Sequence, residues 1–284
     1  MEIINRRQRM FSISRKLRRE EKTVGFVPTM GALHAGHLEL VKEARQRCDI
    51  VVVSIFVNPT QFNNKADLEK YPRDLTADAA MLAEYDVDYI FAPDVEEIYP
   101  TGFSTYVDVE GLADKFEGAS RPGHFRGVAT VVTILFNTVR PDFAFFGQKD
   151  AQQVTVVRRL TRDLGFEMEI VVIPTAREES GLAMSSRNAR LSPEERGKAA
   201  IIIEALREAK IAYKKGERNA ADLAEIVKNR IATEPLALVD YVGVVDRDSL
   251  QTIERIGDDE ALIVTAVYFG DVRLIDNVVL NRKQ

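Results

Sequence analysis

The chain has 284 residues, 45% of them hydrophobic and 29% charged, with a formal net charge of −5 at pH 7. That length has room for a large core and two domains, and the acidic balance argues against a nucleic-acid partner, which calls for a basic face. Cys48 is the one cysteine, which excludes an intrachain disulfide and fits a reduced, cytoplasmic setting.

Taken from the N-terminus, the first segment is basic, with Arg6, Arg7, Arg9, Arg15, Lys16, Arg18 and Arg19. It lacks the apolar stretch of a secretory signal. Met10, Ile13 and Leu17 instead predict an amphipathic surface helix. An apolar strand is expected at 24–27, and then a helix marked by Leu38, Val41, Ala44 and Cys48, where the cysteine packs. The run 50–57 is almost continuously apolar, as in a strand buried on both faces. A helix at 75–85 and a short strand at 89–92 follow. A helical stripe of Val128, Val131, Val132, Leu135 and Val139 ends near Arg140-Pro141, ahead of a strand at 143–146. Residues 150–164 read as a helix with Gly165 as its cap, and 169–173 as a strand. This alternation predicts an α/β domain over residues 1–176, a Rossmann-like, doubly wound parallel sheet.

From residue 177 the pattern changes. Ser192-Pro193-Glu194-Glu195 is a helix start, with serine as N-cap, proline at the first position and glutamate closing a capping box. One long helix is expected from there to about residue 213, and a second from 219 to 233. Strand-like runs follow at 238–245, 261–269 and 272–280. Residues 177–284 are therefore expected to form a smaller α+β domain with an antiparallel sheet, acting as a lid. No apolar run approaches the ~18 residues of a membrane span, so no membrane partner is expected.

Four of the strands run into polar clusters. Residues 24–27 lead to Pro28-Thr29-Met30-Gly31-Ala32-Leu33-His34-Ala35-Gly36-His37, and 50–57 to Asn58-Pro59-Thr60-Gln61. The strand at 143–146 leads to Gly147-Gln148-Lys149-Asp150, and 169–173 to Pro174-Thr175-Ala176-Arg177. Open parallel sheets bind ligands at strand carboxyl ends, so the four clusters suggest one pocket. The chain has three histidines, and two of them, His34 and His37, share a face at the start of a helix. There the positive end of the dipole suits a polyphosphate, and Gly36 lets it approach the backbone. Lys149 at a strand end can reach a phosphate as a point charge. In Leu182-Ala183-Met184-Ser185-Ser186-Arg187-Asn188 two hydroxyls and a guanidinium offer phosphate contacts, with Arg187 bidentate. Gln61 and Gln153 are neutral amides that can donate to a carboxylate or hydroxyl. His124 lies in a glycine-rich turn and reads equally well as a structural residue or a ligand. No His/Cys cluster has metal-ligand spacing.

These segments, together with Tyr71-Pro72-Arg73-Asp74 and Arg121-Pro122-Gly123-His124-Phe125-Arg126-Gly127-Val128, resemble the pantothenate synthetase (pantoate–β-alanine ligase) family along nearly the whole chain. One departure is Ser180, where the family commonly has aspartate. The resemblance implies condensation of pantoate with β-alanine through a pantoyl adenylate, with ATP as substrate, Mg2+ as its companion ion and a homodimer as the assembly. It implies ATP contacts from Met30, Gly31, Ala32, Leu33, His34, Ala35, Gly36 and His37, and from Gly147, Gln148, Lys149 and Asp150. Ala176, Met184, Ser185, Ser186 and Arg187 complete that set. It implies pantoate and β-alanine contacts from Gln61, Gln153 and Asn58, and a catalytic group of His37, His34, Lys149 and Arg187, with His37 as proton donor. The residues by themselves leave open a simple nucleotidylyltransferase, a tRNA-charging enzyme or a nucleotide sensor. β-Alanine-dependent AMP release in the presence of pantoate separates them. The protein ligands of the magnesium ion are not legible.

Overall fold

The structure, a computed structural model, describes residues 1–281. The strands of the first part are β1 (Glu2–Ile4), β2 (Val24–Thr29), β3 (Ile50–Ile55), β4 (Tyr89–Phe91), β5 (Phe143–Gly147) and β6 (Glu169–Ile173). The helices are α1 (Arg7–Arg19), α2 (Ala35–Arg47), α3 (Lys65–Lys70), α4 (Leu75–Ala83), α5 (Val95–Ile98), α6 (Glu117–Ser120), α7 (His124–Val139) and α8 (Ala151–Asp163). All six strands join one parallel sheet in the order β1-β4-β3-β2-β5-β6. The order turns back between β2 and β5, because the chain builds outward from β2 through β3 and β4 and then crosses to the other side. That reversal is the switch point at which such sheets open a crevice.

The apolar runs make this sheet because both of its faces are covered. Phe26, Val27, Val51, Val52, Val53 and Phe145 are fully buried. Cys48 packs in the same core as Val41 and Val53, and burial pushes its thiol up to about 11. The expected amphipathic helix is α1, with Met10, Ile13 and Leu17 buried. α8 ends as the sequence predicts. Gly165 has φ +66, its N–H bonds to Arg162 O at 3.2 Å, and Phe166 N–H reaches back to Thr161 O at 3.0 Å. This pair of bonds closes a Schellman turn.

The second part holds α9 (Pro193–Lys198), α10 (Ile201–Lys214), α11 (Ala220–Ala232), β7 (Ala237–Asp246), β8 (Ala261–Phe269) and β9 (Val272–Leu280). Its three strands form an antiparallel sheet in the order β7-β8-β9, and Ile263 of β8 shares a core with Leu206, Leu223 and Val227 of the helices. The capping box forms: Ser192 Oγ accepts from Glu195 N–H at 3.2 Å, and Glu195 Oε2 from Ser192 N–H at 2.8 Å. The single long helix expected after it is instead two, α9 and α10. At the joint Ile202 N–H bonds to Ala199 O at 3.2 Å, a three-residue closure that tightens the turn.

The chain divides into two compact units, residues 1–147 with 156–173, and residues 148–155 with 174–284. The chain crosses between them beyond the carboxyl ends of β5 and β6 and again within α8.

Candidate active site

In the first unit the site residues are built around β2. Beyond Thr29 the chain turns through Gly31 at φ +78 and Ala32 at φ +52. A Cβ on Gly31 would stand 2.8 Å from Asp78 Oδ2, so this position needs glycine for both its angle and its space. Asp78, on α4 and 4% exposed, holds the turn. Its carboxylate accepts from Ala32 N–H at 3.1 Å and Leu33 N–H at 2.8 Å. Those bonds offset the cost, about 1–3 kcal/mol, of a non-glycine residue in the left-handed region.

The turn delivers His34 to the N-cap of α2. His34 Nδ1 accepts from Gly36 N–H at 3.1 Å, and His37 Nδ1 accepts from His34 N–H at 3.3 Å. The ring centroids are 4.1 Å apart. The two imidazoles thus act as a capping box, a role usually taken by Ser/Thr and Glu. An Nδ1 that accepts cannot carry the proton of the neutral ring, so the hydrogen-bond pattern assigns it to Nε2. His124 is the opposite case: its Nδ1 lies 2.9 Å from Gln61 O, an acceptor, so Nδ1 carries the hydrogen. Two-bond proton–nitrogen correlations at alkaline pH should therefore show two Nε2–H rings and one Nδ1–H ring. An Nδ1–H tautomer at His34 or His37 contradicts the capping geometry.

Gln61 closes a short 3-10 turn at Pro59–Gln61. Asn58, 1% exposed, organises it. Asn58 Nδ2 donates to Gln61 Oε1 at 3.0 Å and to Gly127 O at 3.1 Å, while its Oδ1 accepts from Thr60 and from Tyr99 Oη at 2.8 Å. With Oε1 taken, Gln61 presents its amino group, which reaches Met30 Sδ at 3.0 Å. Arg121 Nη2 also donates to Gln61 O at 3.2 Å. Burial pushes the Tyr99 phenol upward, against the Thr60 and Asn58 hydrogen bonds that lower it, so it stays protonated. Asp78, Tyr99 and Arg121 carried no signal in local spacing, and of the two readings left open for His124 its bond to Gln61 O bears out the structural one. Each acts on a segment distant in sequence.

In the second unit, Gln148, Lys149 and Asp150 form a 3-10 turn directly after Gly147, the last residue of β5. Lys149 Nζ lies 3.8 Å from Asp150 Oδ1, and the lysine side chain is 16% exposed. Gln153 is half-buried in the first turn of α8. Ala176 and Met184 are brought together: Met184 N–H bonds to Ala176 O at 2.9 Å, beside an antiparallel bridge between Arg177 and Ala183. Ser180 Oγ accepts from Leu182 N–H at 3.3 Å, a bond that an aspartate oxygen would make in the same turn. Ser185 Oγ caps the next turn by accepting from Arg187 N–H at 3.2 Å, and Ser186 and Arg187 are exposed.

Glu178 ties this loop down. It accepts from Asn188 Nδ2 at 2.8 Å and from Arg196 at 3.0 Å. Burial pushes its carboxyl up, but the Arg196 and Asn188 hydrogen bonds outweigh burial and lower it. A carboxyl lowered on folding stabilises fully above its unfolded value, ~4.3 for glutamate, and that contribution is lost as pH falls through the folded value. Melting temperature should therefore fall on acidification below ~4.3, and by less in Glu178→Gln. An equal fall in both proteins removes Glu178 from that role.

A profile of the pantoate-beta-alanine ligase family matches residues 2–279. A pantothenate synthetase of Pelotomaculum thermopropionicum is 52% identical over 268 residues, 94% of this chain and 95% of that protein. The crystal structure of the pantothenate synthetase of Thermus thermophilus superposes with a TM-score of 0.89 at 46% identity, covering 98% of this chain and 99% of that one. A Francisella tularensis pantoate-beta-alanine ligase, complexed with beta-gamma ATP and beta-alanine, superposes at 0.80 with 38% identity over 98% and 97% of the two chains. The family match over this span and these relatives make the chain an enzyme of the ligase class. The chain belongs to the pantoate–β-alanine ligase family.

Proposed function

We propose that this enzyme joins pantoate to β-alanine at the expense of ATP, releasing AMP and pyrophosphate through an enzyme-bound pantoyl adenylate. The observation that carries the reading is the start of α2, where two imidazoles cap the helix with Nδ1 and turn Nε2–H to donation. A helix N-terminus and two N–H donors at a sheet switch point suit the phosphates of a nucleotide. The Francisella relative, complexed with beta-gamma ATP and beta-alanine, supports the same assignment.

In the first step a pantoate carboxylate oxygen attacks the α-phosphorus and pyrophosphate leaves. Both partners are anions, so catalysis consists in placing positive charge and N–H donors where charge grows. This reading gives that work to Lys149, Arg187, His34 and His37, with His37 donating from Nε2. The backbone of residues 30–37, 147–150, 176 and 184–187 receives the nucleotide. A magnesium ion arriving with the nucleotide needs few protein ligands, because phosphate oxygens and water supply most of them. When bound, that ion neutralises phosphate charge. In the second step the β-alanine amine attacks the acyl carbon and AMP leaves.

Gln61 and Gln153 hold pantoate, with Gln61 also near β-alanine. Asn58 acts through Gln61, since its amide is spent on Gln61 and its neighbours. Gln153→Ala should raise the Michaelis constant for pantoate by about tenfold or more, the equivalent of one ~1.4 kcal/mol contact, and that for ATP far less. Equal changes in both constants remove Gln153 from the pantoate site.

The reading as a whole is tested by AMP release that requires both pantoate and β-alanine. AMP formed without β-alanine in multiple turnovers, or ADP in its place, sinks it. The resemblance supports a homodimer, which sedimentation would report as a particle of two chains, and the buried, free Cys48 fits a reducing, cytoplasmic setting.

A further inference from the structure

Two consecutive residues of β9, Asp276 and Asn277, are each 4% exposed and carry polar groups that the apolar packing of a strand does not require. Successive strand residues face opposite sides of a sheet, and these two reach different segments. Asn277 Nδ2 donates to Gln148 O at 2.9 Å and to Lys149 O at 3.0 Å, and its Oδ1 accepts from Gln148 Nε2 at 2.9 Å. Asp276 takes Arg177 in a two-bond fork, Nη1 to Oδ2 at 2.6 Å and Nη2 to Oδ1 at 3.0 Å. Asp276 Oδ1 also accepts Asn277 N–H at 2.8 Å, which joins the two halves. Arg177 Nη1 continues to Gly181 O at 3.1 Å, at the base of the loop that ends in Ser185, Ser186 and Arg187.

We propose that Asp276 and Asn277 are positioning residues for the reaction: one strand of the antiparallel sheet fixes, at once, the Gln148–Asp150 turn and the loop leading to Arg187. The inference rests on the reading above, in which both segments serve ATP. In this role neither side chain is assigned a contact with substrate, since their hydrogen bonds go to the chain's own groups. Asn277 sets the path of the backbone that carries Lys149. Asp276 sets the base of the loop that carries Arg187. The amide is specific to its task, because it must donate twice to main-chain carbonyls and accept once from Gln148. A carboxylate of the same shape would turn an oxygen against two carbonyl oxygens. A displacement of about 1 Å in a catalytic group costs on the order of 10²-fold in rate.

The experiment is a double-mutant cycle on pantoate-dependent exchange of pyrophosphate into ATP, with Asn277→Asp, Lys149→Ala and both together. Asn277→Asp should lower exchange by about 10- to 100-fold, and the double variant should be scarcely worse than Lys149→Ala alone, because a displaced lysine and an absent one lose the same contact. Aminolysis of pre-formed pantoyl adenylate by β-alanine should change less. Additive losses in the cycle overturn the proposal, since independent sites add. So does unchanged exchange in Asn277→Asp. If Lys149→Ala itself leaves exchange intact, the ATP role of Lys149 falls and the proposal falls with it. Wild-type protein without β-alanine-dependent AMP release overturns the functional reading itself. Thermal melting reports whether each variant folds. Should Asn277→Asp fail to fold, Asn277→Ala runs the same cycle, removing the donors without setting an oxygen against the carbonyls.

Discussion

Lys149→Ala lowers pantoate-dependent exchange of labelled pyrophosphate into ATP by about 10²–10³-fold, the usual loss for one preorganised group facing developing charge. The ammonium sits on a short turn pinned by Asn277 through two main-chain carbonyls, and its side chain is only 16% exposed. A charge held in so little solvent interacts with a phosphate more strongly than one on the surface. The contact with Asp150, at 3.8 Å, is long for an ion pair and leaves the charge effective. In aminolysis no pyrophosphate leaves, so pre-formed pantoyl adenylate should react with β-alanine at a rate less affected than exchange. The measurement is exchange without β-alanine, compared with single-turnover aminolysis. Exchange that survives in Lys149→Ala removes the lysine from adenylation. Wild-type protein that never exchanges without β-alanine removes the adenylate.

Gly127→Ala raises the Michaelis constant for pantoate by about tenfold or more, the equivalent of one ~1.4 kcal/mol contact at Gln61, and lowers the melting temperature. An added Cβ at Gly127 on α7 would stand 2.6 Å from Thr60 O, 2.7 Å from Thr60 C and 2.8 Å from Gln61 N. These are backbone atoms, and they cannot swing aside as a side-chain tip can. The Pro59–Gln61 turn must therefore shift or α7 must. Either movement also strains the bond from Asn58 Nδ2 to Gly127 O, 3.1 Å long. Overpacking of this kind costs about 1–3 kcal/mol, or several degrees of melting temperature at ~2–4 °C per kcal/mol for a large domain. Gly197 on α9 is the control, since a Cβ there meets nothing within 4 Å. Gly197→Ala should stabilise by about 0.4–1 kcal/mol through reduced unfolded-state freedom. A normal pantoate constant in a Gly127→Ala protein whose melting temperature has fallen removes Gln61 from the pantoate site.

What the sequence by itself determined here is whatever depends on near neighbours. Continuous apolar runs such as 50–57 identified strands of a doubly covered sheet, because burial on both faces leaves no polar side to alternate with. Ser192 and Glu195 marked a helix start, and Gly165 a helix end, because caps are made within one turn of chain. His34 and His37, at three-residue spacing after a strand, were legible as a helix-start pair for the same reason. Tertiary structure decided the rest. β1 is a three-residue strand, too short for any periodicity, and exists because it pairs with β4. The helix after Ser192 breaks near Ala199, although no proline stands there. Asp78 holds the turn at Ala32 and Leu33 across 46 and 45 residues of chain. Asn277 reaches Lys149 across 128 residues, and Asp276 reaches Arg177 across 99. A hydrogen bond across such separations leaves no spacing for a sequence to display. The His34/His37 pair and Lys149 could be singled out because they directly follow strands in recognisable clusters, whereas the buried groups that hold those segments in place became visible only once the chain had folded.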